Sequence, residues 1–139
     1  MIATNGTTQK IRLYGVMCPV KGQPFHEDAR MLTNFLCLQK SVDFTPMYRA
    51  ADDVVYALVR IDGTKYFLNE RLMGYGMAWV KPTECKASLC NEWRKLERIA
   101  RENAIGLWGA PSPVPPWEWA REKRKDMYHR SREAPNKQE

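Results

Sequence analysis

The sequence predicts a single α+β domain, because strand-like and helix-like hydrophobic patterns alternate along it. Alternating polar and apolar residues at 10–16 and a run rich in β-branched residues at 54–61 are typical of strands. Apolar residues recur at three- and four-residue steps in 25–38 and 89–104, which is typical of amphipathic helices. A chain of 139 residues with 44% hydrophobic residues is long enough to bury one core.

The first third of the chain is expected to carry a hairpin, a strand and a helix. Asn5-Gly6 is a strong signal for a tight hairpin turn just before the strand at 10–16. The loop at 18–24 then leads into the helix at 25–38. One face of this helix carries the apolar residues that we expect in the core, namely Phe25, Ala29, Leu32 and Leu36.

The middle of the chain predicts two further strands and a short helix. Strands are expected at 42–47 and 54–61, the second ending at an Asp-Gly turn. A helix at 68–73 is expected to stop at Gly74 or Gly76, because glycine readily adopts the left-handed conformation that ends helices.

Two boundaries in the last third of the sequence divide the chain into three predicted regions. A short segment at 78–80 precedes the helix at 89–104, which completes a domain of residues 1–110. Four prolines within six residues then indicate an extended connector at 111–119, which its two tryptophans are expected to pin to the domain surface. Residues 120–139 form a basic tail that has little apolar face and is expected to be exposed.

The composition favours a polyanionic partner without identifying one. Lys and Arg number 22 against 16 Asp and Glu, a formal net charge of +6, although solubility alone accounts for such a surplus equally well. No apolar run reaches the roughly 18 residues of a membrane span, so we expect no membrane partner. Residues 1–10 lack the regions of a signal peptide, which favours the cytoplasm if Met1 is the true start and export if a signal has been removed.

The cysteines are too few to form a disulfide scaffold in a chain of this length. They are Cys18, Cys37, Cys85 and Cys90. Four residues separate the last two, so a small disulfide loop is geometrically feasible in an exported protein. Zinc is the weaker alternative, because no CxxC pair occurs and both histidines lie far from every cysteine in sequence. The first two cysteines are interpreted as buried or free thiols.

Four stretches carry a resemblance to a known family. They are RLYGVMCPVKGQPF at 12–25, LNERLMGYGMAWV at 68–80, WRKLERIARENAIGLW at 93–108 and PVPPWEW at 113–119. In order and spacing they resemble the bacterial staphylococcal nuclease-like (thermonuclease) family over nearly the whole chain. The resemblance implies an OB-fold-type five-stranded β-barrel flanked by three helices.

One strand of that barrel is expected to be missing from this sequence. Barrels of the family begin with a complete strand and part of a second before the Asn-Gly turn, whereas only residues 1–4 precede it here. The chain is then truncated, or another element or another chain fills the gap. An uncovered barrel edge would favour pairing between two copies, so a homo-oligomer is an expected partner state.

The resemblance also implies a set of catalytic positions. Active members cleave phosphodiesters with Ca²⁺, which two aspartates bind, while a glutamate positions the water and two arginines hold the phosphate. The first arginine corresponds to Arg12, and the second falls at Val54. One metal aspartate falls at Met17 and the glutamate at Val20, while the other aspartate would precede the first residue.

These replacements predict a degenerate catalytic site. Because methionine and valine supply no oxygen ligands, no Ca²⁺ or other cofactor and no metal ligands are expected, and cleavage should be impaired. Arg12 either still holds a phosphate or pairs with a carboxylate in the barrel mouth. Asp52 and Asp53 are better interpreted as solvated turn residues than as replacement ligands.

A binding function remains, because OB-type barrels hold single strands in a basic groove with stacking aromatics. The candidate nucleic-acid-binding residues are Arg12, Tyr14, Lys21, Tyr48 and Arg49. Tyr14 could instead be a barrel side chain and Lys21 a solvated loop residue. The nucleotide-pocket aromatics of the family are also not matched, since that segment reads KPTE at 81–84.

Three functions follow from these patterns. The first is a nuclease-fold domain that binds single-stranded DNA or RNA without efficient cleavage. The second is a scaffold for protein contacts, and the third is an active calcium-dependent nuclease with rearranged ligands.

Overall fold

The computed structural model describes residues 2–4 and 6–133, which form an α+β structure. Its strands are β1 (Ile2–Thr4), β2 (Thr7–Gln9), β3 (Ile11–Leu13), β4 (Val16–Met17), β5 (Val42–Arg49), β6 (Val55–Ile61) and β7 (Trp79–Val80). Its helices are α1 (His26–Cys37), α2 (Leu68–Gly74), α3 (Cys90–Glu102) and α4 (Pro116–Glu133), with a 3₁₀ turn at Gly106–Gly109. The four helices within the described residues are one more than the resemblance implies.

The central strand of the largest sheet is β6. It pairs with β5 in antiparallel fashion and with β3 in parallel fashion. Its apolar sequence explains this position, because strands that are covered on both faces carry near-continuous apolar runs. Its buried residues are Val55, Ala57, Leu58, Val59 and Ile61. Two smaller pairs, β1 with β2 and β4 with β7, complete the OB-type strand set, so the ladders of the described residues fall into three groups.

The start of the chain forms the expected hairpin. β1 and β2 pair across the Asn5-Gly6 position, and Gly6 has the positive φ of 81° that such turns require, while Asn5 lies outside the described residues. Along β5, the outer edge has no strand partner within the described residues. Pro46 lies within this strand and has no backbone N–H to donate. The association of two copies through an uncovered edge stays a prediction.

The first helix packs one face on the core, as its periodicity predicts. Ala29 and Leu36 are buried, and the remaining predicted positions on this face are partly buried. Phe35, on the other side, is 79% exposed.

The second and third helices close the core around Trp93, which is 1% exposed. α2 ends at Gly74, and the left-handed φ of 68° at Gly76 confirms the predicted stop. A disulfide joins Cys85 to Cys90, with Cα atoms 5.8 Å apart, in the small loop that the sequence allowed. The other two cysteines are free, partly buried thiols.

The proline-rich segment differs from its prediction. The expected extended connector ends early, because α4 begins at Pro116 and runs across the predicted boundary between 119 and 120. Proline fits the first turn of a helix, since the N–H it lacks has no partner there and its φ is already helical. The side chain of Gln23 donates a hydrogen bond of 2.7 Å to the carbonyl of Val114, and the Trp119 ring lies against Gly22. No helix within the described residues is long and apolar enough to cross a membrane.

Candidate nucleic-acid interface

A row of three side chains crosses the largest sheet. In the strand register, Arg12 on β3 is the partner of Tyr56 on β6, and Tyr56 is the partner of Tyr48 on β5. The two tyrosine rings stack with centroids 4.6 Å apart and an interplanar angle of 11°. Arg12 is exposed and Tyr48 is 41% exposed, so the row offers a cation and an aromatic surface to solvent.

A β-bulge in β5 creates this row. The register between β5 and β6 shifts between Pro46 and Tyr48, so that Met47 is the extra residue. Without the shift, Met47 would lie opposite Tyr56 and Tyr48 would project to the other face, since side chains alternate along a strand. The bulge therefore re-aims Tyr48 beside Tyr56, which is the effect that bulges commonly have near functional sites.

A cleft of about 230 Å³ adjoins the row. Its lining comprises Arg12, Leu13, Val16, Met17, Cys18, Tyr56, Lys81 and Glu84. The floor is apolar, while Arg12 and Lys81 supply two positive charges against the single carboxylate of Glu84. Burial raises the pKa of the Cys18 thiol to about 12, so this group stays protonated and poorly nucleophilic at neutral pH.

The loop after β7 is tied to the tyrosines. Lys81 and Glu84 form a half-buried ion pair at 2.7 Å. Burial and the nearby negative charge of Glu84 raise the pKa of Tyr48. The carboxylate of this loop therefore lies close enough to the end of β5 to act on the phenol.

Tyr14 supports the interface from below. It is 7% exposed, and its hydroxyl accepts hydrogen bonds from the backbone N–H groups of Lys86 and Ala87 at 3.1 and 3.3 Å. Its ring meets that of Tyr48 edge-on, with centroids 6.4 Å apart. A nucleic-acid base has little access to this side chain, which fits the interpretation of Tyr14 as a barrel residue.

Two further predicted binding residues lie outside both the row and the cleft lining. Arg49 pairs with Asp53 across the turn that joins β5 to β6, and Asp53 holds a positive φ of 65° there. Asp52 is exposed in the same turn, so both aspartates behave as turn residues. Lys21 is exposed in the loop before α1.

The positions that the resemblance assigns to catalysis carry no carboxylate. Met17 lies on β4 and lines the cleft, whereas Val54 is buried at 2% exposure. The backbone N–H of Val20 donates to the side chain of Gln23. Within residues 2–4 and 6–133, no group of three or more His, Cys, Asp or Glu residues could hold a metal ion. This donor set does not fit calcium, which prefers several oxygen ligands.

Sequence reasoning missed three residues of this interface. Tyr56 lies in a predicted strand, but its pairing with Tyr48 depends on the bulge, which leaves no local signal. Lys81 and Glu84 are read in the sequence only as a segment without aromatics. The spacing of three residues between these opposite charges, within a proline-containing loop, is the sequence feature that indicates a local ion pair.

Comparisons with known proteins agree with this architecture. The family model described as "Staphylococcal nuclease homologue" matches residues 10–110. The chain is 30% identical over 132 residues to the "Micrococcal nuclease" of Shigella flexneri, covering 86% of this chain and 72% of that protein. It is 28% identical over 119 residues to an "Uncharacterized 38.1 kDa protein" of Capnoides sempervirens and 27% identical over 119 residues to a "Staphylococcal-like nuclease" of Arabidopsis thaliana.

Those two plant relatives are longer proteins. Each match covers 83% of this chain but only 32% and 34% of the respective relative. The match of the family model, by contrast, spans β3 to β7, the first three helices and the cleft described above. The chain therefore belongs to the staphylococcal nuclease homologue family.

Proposed function

We propose that this domain binds single-stranded nucleic acid at the cleft and the adjoining row, and that it cleaves it poorly or not at all. The row of Arg12, Tyr56 and Tyr48 is the observation that carries the proposal. A guanidinium can hold a phosphate, and an exposed ring can stack on a base of any sequence. Lys81, which also lines the cleft, adds a second cation within the same cavity.

The chemistry of the cleft supports the second half of the proposal. Cleavage by the family's route needs metal ligands, a base for water and a second arginine, and the corresponding positions are Met17, Val20 and Val54. The carboxylate in the cleft lining, Glu84, already pairs with Lys81, and its charge raises the pKa of Tyr48. The names of the relatives favour an active nuclease as the competing function.

The proposal is tested by fluorescence anisotropy of labelled single-stranded DNA and RNA, followed over time with millimolar calcium and with EDTA. We expect a stable, salt-sensitive rise that is the same in both solutions. Tyr48→Leu should weaken binding about 5- to 150-fold, because loss of one base-stacking ring costs about 1–3 kcal/mol. Tyr75→Leu is the matched control, since Tyr75 is 45% exposed but belongs neither to the row nor to the cleft lining.

Each other outcome favours a different function. An anisotropy signal that falls only with calcium means cleavage and overturns the degenerate-site proposal. In that case Glu84→Gln shows whether the remaining carboxylate of the cleft is involved. A flat trace with wild-type protein rejects nucleic-acid binding and favours the protein-contact scaffold. Equal losses in the two tyrosine variants would place binding outside the cleft.

A further inference from the structure

The fourth helix leaves the domain with its surface uncovered. Every residue from 121 to 132 is exposed, and no ion pair of the described residues involves α4. The helix carries six Lys and Arg side chains against four carboxylic acids in the sequence. Because no carboxylate of the described residues pairs with these cations, their charge is directed to solvent or to an anionic ligand, although Lys123 and Arg132 also lie over aromatic rings.

The charges of α4 are segregated by face. At about 100° per residue, one arc of about 100° collects four cations and one aromatic residue. This stripe, called the basic stripe below, consists of Arg121, Arg124, Lys125, Tyr128 and Arg132. Glu122 and Asp126 lie together on the neighbouring face, while Lys123 and Arg130 lie on the opposite one.

Like charges are neighbours along the basic stripe. Arg121 lies three and four residues before Arg124 and Lys125, and like charges at these spacings repel each other on a helix. Tyr128 is 54% exposed, and the Arg132 guanidinium lies 4.8 Å from its ring centroid. A linear polyanion bound along the basic stripe would relieve the repulsion between these cations.

The base of α4 is anchored to the loop that follows β4. The Trp119 ring lies against Gly22, and Gln23, which is 7% exposed, donates to the carbonyl of Val114 just before the helix. The loop that carries Gly22 and Gln23 continues directly from β4, the strand that brings Met17 into the cleft. The helix is thus anchored to the chain segment that leaves the interface.

We propose that the basic stripe of α4 is a second nucleic-acid contact, which binds the phosphodiester backbone of a strand held at the cleft. The part of α4 from Arg121 to Arg132 is about 18 Å long, so its side chains can follow successive phosphates of one strand. The ligand class rests on the proposed function, but the surface is separate from the cleft and contributes phosphate contacts alone.

Two double variants on the same helix test the basic stripe. Arg124→Gln with Lys125→Gln removes two stripe charges, and Lys123→Gln with Arg130→Gln removes two charges from the opposite face. The first pair should lower the slope of log affinity against log salt by about 1.4, since each phosphate contact of a single strand contributes about 0.7. The second pair should change the slope by less than half as much. Circular dichroism checks that both variants keep the helix.

The outcomes separate this proposal from the proposed function. Equal weakening by both double variants means that net charge alone acts, which overturns the basic stripe. No weakening by either, together with a loss in Tyr48→Leu, overturns the stripe and leaves the cleft proposal standing. A loss in the stripe variant with no effect of Tyr48→Leu supports the stripe and overturns the cleft. Absence of wild-type binding overturns both.

Discussion

Asn69 on α2 completes the backbone hydrogen bonding where β3 leaves the central strand. β3 ends at Leu13, so on the β3 side of β6 no strand faces the N–H of Val59, whose other neighbour is β5. The side-chain oxygen of Asn69 accepts a hydrogen bond from this N–H at 3.1 Å. Its amide nitrogen donates to the carbonyls of Tyr14 at 2.9 Å and Ala57 at 3.3 Å. The residue is fully buried, so water cannot replace these bonds.

We therefore expect Asn69→Ala to be strongly destabilising. It leaves the N–H of Val59 and the carbonyl of Tyr14 buried without a partner, whereas the carbonyl of Ala57 keeps the bond from the Tyr14 N–H. Each buried unpaired group costs about 1–3 kcal/mol, so two of them cost ~4 kcal/mol of the free energy of unfolding. That is a large share of the roughly 5–15 kcal/mol that stabilises a typical domain.

Urea unfolding followed by tryptophan fluorescence measures this loss. With a slope of about 2 kcal/mol per molar urea, the midpoint should fall by about 2 M. Asn69→Asp keeps the shape but aims a carboxylate oxygen at two carbonyls, so it should be at least as damaging. Asn91→Ala is the matched control, because its exposed hydrogen bond to Arg94 contributes within about 0.5 kcal/mol.

The reasoning is refuted if Asn69→Ala shifts the midpoint no more than Asn91→Ala does. It is also refuted if Asn69→Asp is as stable as the wild type, because the two hydrogen bonds that the Asn69 amide donates would then contribute nothing to the free energy of unfolding. An unchanged slope in all variants is needed for the comparison, since a changed slope reports a different unfolded or native state.

Two further predictions concern the loop that borders the cleft. Glu84→Gln should lower the pKa of Tyr48 towards its ordinary value, because the carboxylate that disfavours the phenolate is gone, while burial still acts. Ultraviolet titration of the tyrosines, with Tyr48→Phe as the reference, measures this pKa. In the wild type, the stability that the raised pKa contributes is complete below about pH 10 and is lost as the pH rises through the pKa of the folded state. Replacing Cys85 and Cys90 together by alanine should lower the unfolding free energy by about 2 kcal/mol, the loop-closure entropy of so short a ring. An unchanged Tyr48 titration in Glu84→Gln would contradict the first prediction, and an unchanged urea midpoint in the double cysteine variant would contradict the second.

Elements with a strong local pattern could be predicted from the sequence. The helix expected at 25–38 forms at His26–Cys37, and the strand expected at 54–61 forms at Val55–Ile61. The β4 and β7 pair could not be predicted as such, because two residues on each side leave no periodicity and the pairing joins distant segments. The start of α4 is not predicted by the sequence, because a cluster of prolines is typical of an extended connector. The last of these prolines, Pro116, is nevertheless a favourable first residue for a helix.

The interface shows the same division between local and long-range information. Arg12 and Tyr48 are recognisable in the sequence as a cation and an aromatic residue of a barrel. Their alignment through Tyr56 depends on a parallel register on one side and a bulged antiparallel register on the other. A shift of one residue would reverse the face of Tyr48, and no short window of sequence encodes that choice.

Replacing carboxylates by apolar residues changes what a phosphate meets in the cleft. In a metal-dependent site, aspartates repel a phosphate until the cation binds, so affinity depends on calcium. Here Met17 contributes no charge, and the lining has Arg12 and Lys81 against Glu84, which leaves one net positive charge without any metal. Under the proposed function, the apolar residues at these positions therefore also remove the electrostatic need for calcium in binding. This is the physical reason why we expect equal affinity in calcium and in EDTA.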